Sequence, residues 1–420
     1  MTNYNKNKQD LEKLAQHVKD PLFSEKLIQA YMKDTGFARK SITEREISAP
    51  VRIIDSFGRE NKFIKNFSVI NRKPIGKVAI LLPVNGINIL VAKAVGASYL
   101  IGNETIVKFP RRLKNSAPIF GELISKNLKN VSFADINISS KDFLLSCLMN
   151  PAIKAILIYG DDKWIEGYKN LARRTRTKII FEGPGNDPQI VFESAQLDQA
   201  VEDAVECGLM NGGQSCSAIE RFFVHENIVD VFTEKLCLRL KRVKIGLPND
   251  PESDLTPVKS ETIQKRLVSQ IEEATHLGAK LVFGGEFRKI NFSEEVMEPA
   301  VLTNCTPDMN IVKHENFGAV FPIISFNSEE GLIDMLDQTS YGLNASAYGN
   351  CSENVKDYLE TTHRNIYYNS TVTSIENSLS RILDGGFKNS GFVWEWSSGN
   401  YIHREGKRYL VQELSQDENN

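Results

Sequence analysis

The sequence predicts an α/β protein of two domains, and three observations carry that expectation. Largely apolar runs at Val78–Leu82, Thr105–Phe109, Ala155–Tyr159 and Lys178–Phe181 read as buried strands, with helical patterns between them. Strand, helix and strand follow one another between Val78 and Phe109, within the length of a βαβ unit. The chain of 420 residues is also too long for one compact core. Hydrophobic content of 41% and charged content of 25% describe an ordinary globular composition. A net charge of −2 offers nucleic acid or membrane no electrostatic attraction, so a small molecule is the expected partner. The polar N-terminus has no apolar core of a signal peptide and no run is long enough to span a bilayer, so the expected location is cytoplasmic. The six cysteines form no C-x-x-C pair and the six histidines no H-E-x-x-H, so no metal site is expected.

Residues 1–40 carry helical spacing (Leu11, Leu14, Ala15, Val18, then Leu22, Leu27, Ile28, Tyr31) and should layer against a sheet. Residues 41–73 change character: Arg52-Ile53-Ile54 and Lys62 to Ile70 alternate as strands do. The strand Val78–Leu82 stops at Pro83-Val84-Asn85-Gly86, a helix pattern runs from about Asn88 to Ile101, and a second strand runs from Thr105 to Phe109. Ligands of such sheets sit at the carboxyl ends of strands, where Asn85 and Lys108 fall. Ala155–Tyr159 ends at Gly160-Asp161-Asp162, before another helix, and Lys178–Phe181 ends at Glu182. There is no G-x-G-x-x-G, so a dinucleotide would not be held in the usual Rossmann manner.

The stretch Asn211-Gly212-Gly213-Gln214-Ser215-Cys216-Ser217-Ala218-Ile219-Glu220-Arg221 follows a helix (Leu197 to Met210) and leads into a strand. Two glycines and small neighbours describe a tight turn that exposes the Cys216 sulfur. Backbone N–H groups there are expected to lower its pKa and favour the nucleophilic thiolate. Beyond it lie a helix from Ile228 to Leu240, a long helix over 257–277, and further strands through residue 302.

The pattern N-x-G-Q-x-C followed five residues later by Arg resembles the nucleophile motif of the aldehyde dehydrogenase superfamily. Four further segments resemble that family in order. They are Pro83-Val84-Asn85-Gly86 (P-W-N-F), Lys108-Phe109-Pro110-Arg111 (K-P-S-E), Glu182-Gly183-Pro184-Gly185 (E-L-G-G) and Glu315-Asn316-Phe317-Gly318 (E-I-F-G). The resemblance implies a doubly wound Rossmann-like cofactor domain (1–49 and 74–183), an α/β catalytic domain (184–390) and an oligomerisation β-arm (50–73 and 398–414). It implies Cys216 as nucleophile, Asn85 as oxyanion donor and Glu182 as the base that activates water. It also implies a cofactor, NADP or NAD, at Lys108, Arg111, Gly160, Asp161, Glu315 and Phe317.

Two departures bear on that cofactor. Arg111 replaces a carboxylate that would bond the ribose 2′-hydroxyl, and an arginine suits a 2′-phosphate, which favours NADP. Asp161 replaces a serine near the pyrophosphate, where a carboxylate caps a helix but repels phosphate. The later Tyr341-Gly342-Leu343 and Gly386-Phe387-Lys388 turns resemble architectural elements of the family, and the Trp394–Trp396 segment suits core packing or the substrate mouth.

The implied reaction is oxidation of an aldehyde to an acid through a cysteine thiohemiacetal and thioester, in a homodimer or homotetramer. Two alternatives remain open from sequence. One is an acyl-CoA- or acyl-phosphate-linked reductase on the same fold, against which Glu182 argues. The other is a non-catalytic relative acting as a binding or structural subunit.

Overall fold

The computed structural model describes residues 4–57, 72–292, 294–374 and 383–417. Among them two large sheets organise the chain, one of nine strands and one of seven. In the first, Lys178–Glu182, Ile153–Tyr159, Lys77–Leu81, Glu104–Lys108 and Val131–Phe133 lie side by side and parallel. Their near-continuous burial matches the apolar runs, because helices cover both faces. One layer comes from the N-terminus. Helices Tyr4–Lys19 and Pro21–Thr35 bury Leu11, Leu14, Ala15, Val18, Leu27, Ile28 and Tyr31 of the stripe read from spacing, while Leu22 of that stripe points to solvent, 84% exposed.

The second sheet places Asp187–Val191 and Ile219–His225 side by side, with Val320–Phe326 and Asn344–Tyr348 as their outer neighbours, all parallel. The C-terminal hairpin of Gly391–Ser397 and Asn400–Tyr409 adds to the first sheet, antiparallel to Lys178–Glu182. Phe181, Phe392 and Trp394 stack in sequence across this join, with ring centroids 4.9 and 4.6 Å apart. Trp394 is fully buried, so core packing is the use made of it, while Trp396 faces outward.

Three local expectations change. Arg52-Ile53-Ile54 lies in a helix, Ala49–Ser56, and not in a strand. Adjacent Ile53 and Ile54 are both buried, which a strand's alternation cannot place on one face and a helix can. The helix from Ile87 to Ile101 contains a π turn at Val91–Val95. After Asp161 the chain makes a turn and a 3₁₀ segment, Glu166–Tyr168, before the helix Lys169–Thr175 begins. The strand read over Lys62–Ile70 lies outside the described residues. Residues 398–414, read as part of an arm, form the strand Asn400–Tyr409 and the short helix Leu410–Glu413.

Candidate active site

Cys216 sits on the turn between helix Leu197–Gly208 and strand Ile219–His225. Asn211, Gly212 and Gly213 all have positive φ (53°, 67° and 79°). A side chain at Gly213 would place its Cβ 2.3 Å from the Gly318 carbonyl, and one at Gly185 would lie 1.8 Å from the Cys216 oxygen. Three chain segments therefore close around the thiol only because glycine occupies these two contacts. The charges of the same motif tie the neighbours in place. Arg221 Nε donates to Asn186 O at 2.8 Å, and the Glu220 carboxylate accepts from the Asn316 and Phe317 N–H groups at 2.9 and 2.7 Å. That clamp holds Phe317 in the left-handed region, φ 57°.

Asn85 lies on the turn after Lys77–Leu81. The Tyr31 hydroxyl donates to Val84 O, and Glu46 accepts from Asn88 N at 2.6 Å, so the N-terminal segments pin the turn. Among the described residues nothing bonds the Asn85 side-chain amide or the Cys216 N–H. Both residues line one cavity with the thiol, and their donors are unpartnered.

Glu182 ends its strand 8% exposed. Its Oε2 accepts from Arg364 Nη1 at 2.8 Å and Gly385 N at 3.0 Å, and Lys93 Nζ stands 3.8 Å from Oε1. Burial raises its pKa, but Lys93, Arg364, the Gly385 N–H and Arg408 together bring it below the ordinary value. Lys93 is itself lowered to about 8, chiefly by burial. It also lies 3.2 Å from Asp384, whose other oxygen accepts from the Tyr159 hydroxyl at 2.7 Å. Cys216 departs from expectation. Burial first, then Glu182 and Glu315, push its thiol up to about 12, so it rests protonated.

Gly160, Asp161, Glu315 and Phe317 line the same cavity of about 860 Å³ as Asn85, Glu182 and Cys216. Gly160 N–H donates to Glu182 O at 3.2 Å, tying the two strand ends together. Asp161 Oδ1 accepts from Lys163 N at 2.8 Å, a local turn in place of an open helix end. Glu315 Oε1 accepts from Gly185 N at 3.2 Å, and burial followed by Glu220 pushes its carboxyl up. Its second oxygen has no hydrogen bond among the described residues and is free for a ribose hydroxyl. A carboxyl, an aromatic ring and an open strand end in one cavity fit a nicotinamide nucleotide.

Lys108 and Arg111 lie apart from this group, at the carboxyl end of Glu104–Lys108. Lys108 is buried and its ammonium donates to Phe109 O and Ile136 O, while Arg111 is exposed. His314 is exposed at the end of the short helix Asn310–Lys313.

Sequence reasoning missed Lys93, Glu220, Arg364, Asp384 and Arg45. Lys93 alone left a signal, as the single charge in the apolar stretch Ile87–Ile101. Glu220 stands within the Cys216 motif, where nothing in the chain marks its clamp, and Arg45, Arg364 and Asp384 come from distant segments with no motif to mark them.

A profile of the aldehyde dehydrogenase family matches residues 2–405. A succinate-semialdehyde dehydrogenase [NADP(+)] of Mycobacterium avium is 27% identical over 324 residues, 77% of this chain and 67% of that protein. The solved succinate-semialdehyde dehydrogenase of Burkholderia pseudomallei superposes with a TM-score of 0.85 at 26% identity, covering 99% of this chain and 85% of that one. An NAD⁺ complex of a Bacillus cereus aldehyde dehydrogenase, 24% identical, shares the fold with a TM-score of 0.84 over 99% of this chain and 83% of that one. The chain belongs to the aldehyde dehydrogenase family, NAD(P)-dependent enzymes that oxidise an aldehyde to an acid.

Proposed function

We propose that Cys216, Asn85 and Glu182 carry this oxidation, with Glu315 and Phe317 at the nicotinamide ribose of the cofactor, Gly160 and Asp161 beside its pyrophosphate, and Lys108 and Arg111 at its adenosine end. The reading rests on one observation: two unpartnered donors, the Asn85 amide and the Cys216 N–H, share a cavity with a thiol and an ion-paired carboxylate. The Cys216 sulfur bonds to the aldehyde carbon as its proton passes to solvent water, and the two donors stabilise the oxygen's developing charge. When bound, the oxidised nucleotide supplies the hydride acceptor. Cys216 then carries the thioester. Glu182 takes a proton from water, the hydroxide attacks the thioester carbon, and the acid leaves as the thiol re-forms.

The exposed Arg111 supports NADP over NAD, since a guanidinium pairs with a 2′-phosphate. Residues 1–49 with 74–183 are assigned to the cofactor domain, to whose core the buried helix Ala49–Ser56 also belongs, 184–390 to the catalytic domain, and the rest of 50–73 with 398–414 to subunit contacts of a homodimer or homotetramer. Among the described residues no helix is long and apolar enough to cross a membrane, and we place the protein in the cytoplasm.

Stopped-flow detection of NADPH tests the assignment. Cys216→Ala should show no reduced nucleotide. Glu182→Gln should keep a first-turnover burst and lose roughly 10²- to 10⁴-fold in the steady state. An unchanged steady state removes Glu182 as base, and turnover by Cys216→Ala removes the mechanism.

A further inference from the structure

The cavity wall opposite the sheet comes from the N-terminal π turn Thr43–Ser48, and Arg45 on that turn has no assigned role. Its guanidinium lies between the two turns of the catalytic centre. Nη2 is 3.4 Å from the hydroxyl of Ser215, the residue before Cys216, and 3.9 Å from where a Cβ on Gly86, the residue after Asn85, would stand. Nη1 meets the Met210 sulfur at 3.0 Å, a weak acceptor, and Nε is buried with no acceptor at all.

The charge balance of the cavity sets Arg45 and Arg266 apart from the other cations, and Arg266 lies beside the Glu315 segment, where its Nη2 donates to Asn316 O at 3.0 Å. Lys40, Arg52 and Arg239 are each neutralised, by Asp254, Glu44 and Glu202. Lys93 and Arg364 are taken up by Glu182 and Asp384. Among the described residues no carboxylate comes within ion-pair distance of Arg45. Its chain neighbour Glu46 is engaged with Asn88, and its carboxyl is pushed up to about 7 by burial. A half-buried guanidinium left with a sulfur and one long hydroxyl contact is poorly satisfied, and it offers a fork of donors shaped for a carboxylate.

We infer that Arg45 binds a carboxylate at the far end of the aldehyde, so that the substrate class is a short-chain semialdehyde acid. The inference rests on the proposed function for where the carbonyl sits: a carbonyl between Asn85 and Cys216 has Arg45 within reach of a short tail.

The test compares kcat/KM for succinic semialdehyde and for pentanal, in the wild-type protein, Arg45→Met and Arg45→Lys. The wild type should prefer the acid, mainly through KM. A charge-assisted hydrogen bond supplies roughly 10- to 150-fold, so the preference should fall by about that factor in Arg45→Met and recover in part in Arg45→Lys. A second measurement uses the wild-type protein alone: succinate, and not butyramide, should slow alkylation of Cys216 by iodoacetamide. A preference that survives Arg45→Met overturns the assignment, as does a wild type indifferent to the carboxylate. Greater preference for a phosphorylated aldehyde replaces the carboxylate with a phosphate. If the wild type oxidises neither aldehyde, the proposed function fails. The alkylation result then decides alone, and absence of protection by succinate overturns the carboxylate site.

Discussion

Arg364→Met removes the cation that holds Glu182. Arg364 and Glu182 are 5% and 8% exposed, and their contact is 2.8 Å. With charge centres about 4 Å apart and an effective dielectric of about 20, their attraction is about 4 kcal/mol. Removing one partner of such a buried pair costs about 3–5 kcal/mol, because the remaining charge is stranded. Lys93 and the Gly385 N–H still face Glu182, so the lower end of that range applies. The pH dependence has a definite sign. The Glu182 carboxyl is held below its ordinary 4.5, so its ionised form stabilises the fold above that value and the contribution disappears as pH falls through the lowered one. Without Arg364, burial is opposed by fewer partners and the carboxyl titrates at higher pH. Under deacylation-limited turnover, the acid limb of kcat should move upward relative to the wild type. Chemical denaturation and a kcat–pH profile measure both effects. The double variant Arg364→Met/Glu182→Gln, which leaves no stranded charge, should recover much of the lost stability. The reasoning is refuted if Arg364→Met unfolds within about 1 kcal/mol of the wild type and its pH profile superimposes.

Two further outcomes follow from single positions. Arg111→Ala should weaken NADP⁺ relative to NAD⁺ by roughly 10-fold or more in calorimetric binding, the scale of a lost hydrogen bond to a charged group; an unchanged ratio removes Arg111 from the 2′-phosphate. Gly213→Ala combines a positive φ with a Cβ 2.3 Å from the Gly318 carbonyl, so a loss of about 2–4 kcal/mol in unfolding stability is expected, with a parallel fall in kcat. An alanine variant of wild-type stability would show that the close approach of the two turns is dispensable.

The parallel sheets and the first helical layer were legible because their signals are local. Val78–Leu82 and Ala155–Tyr159 are apolar without interruption, and Leu11, Leu14 and Val18 repeat at helical spacing. Cys216, Asn85 and Glu182 were marked by a glycine-rich turn or a strand end, whereas Glu315 and Phe317 were named only by the resemblance to the family; all five line one cavity. The helix Ala49–Ser56 was misread because Arg52-Ile53-Ile54 is too short to separate the two periodicities, and the packing of both isoleucines on one face decided it. The electrostatics were not legible at all. Lys93, Glu182, Arg364 and Asp384 lie up to 291 positions apart (384 − 93), and their Coulomb interactions depend on distance in space, not in sequence. The sequence therefore names the thiol and the carboxylate, while folding determines that the thiol rests protonated, that the carboxylate is ion-paired, and that Arg45 meets the cavity without an acidic partner.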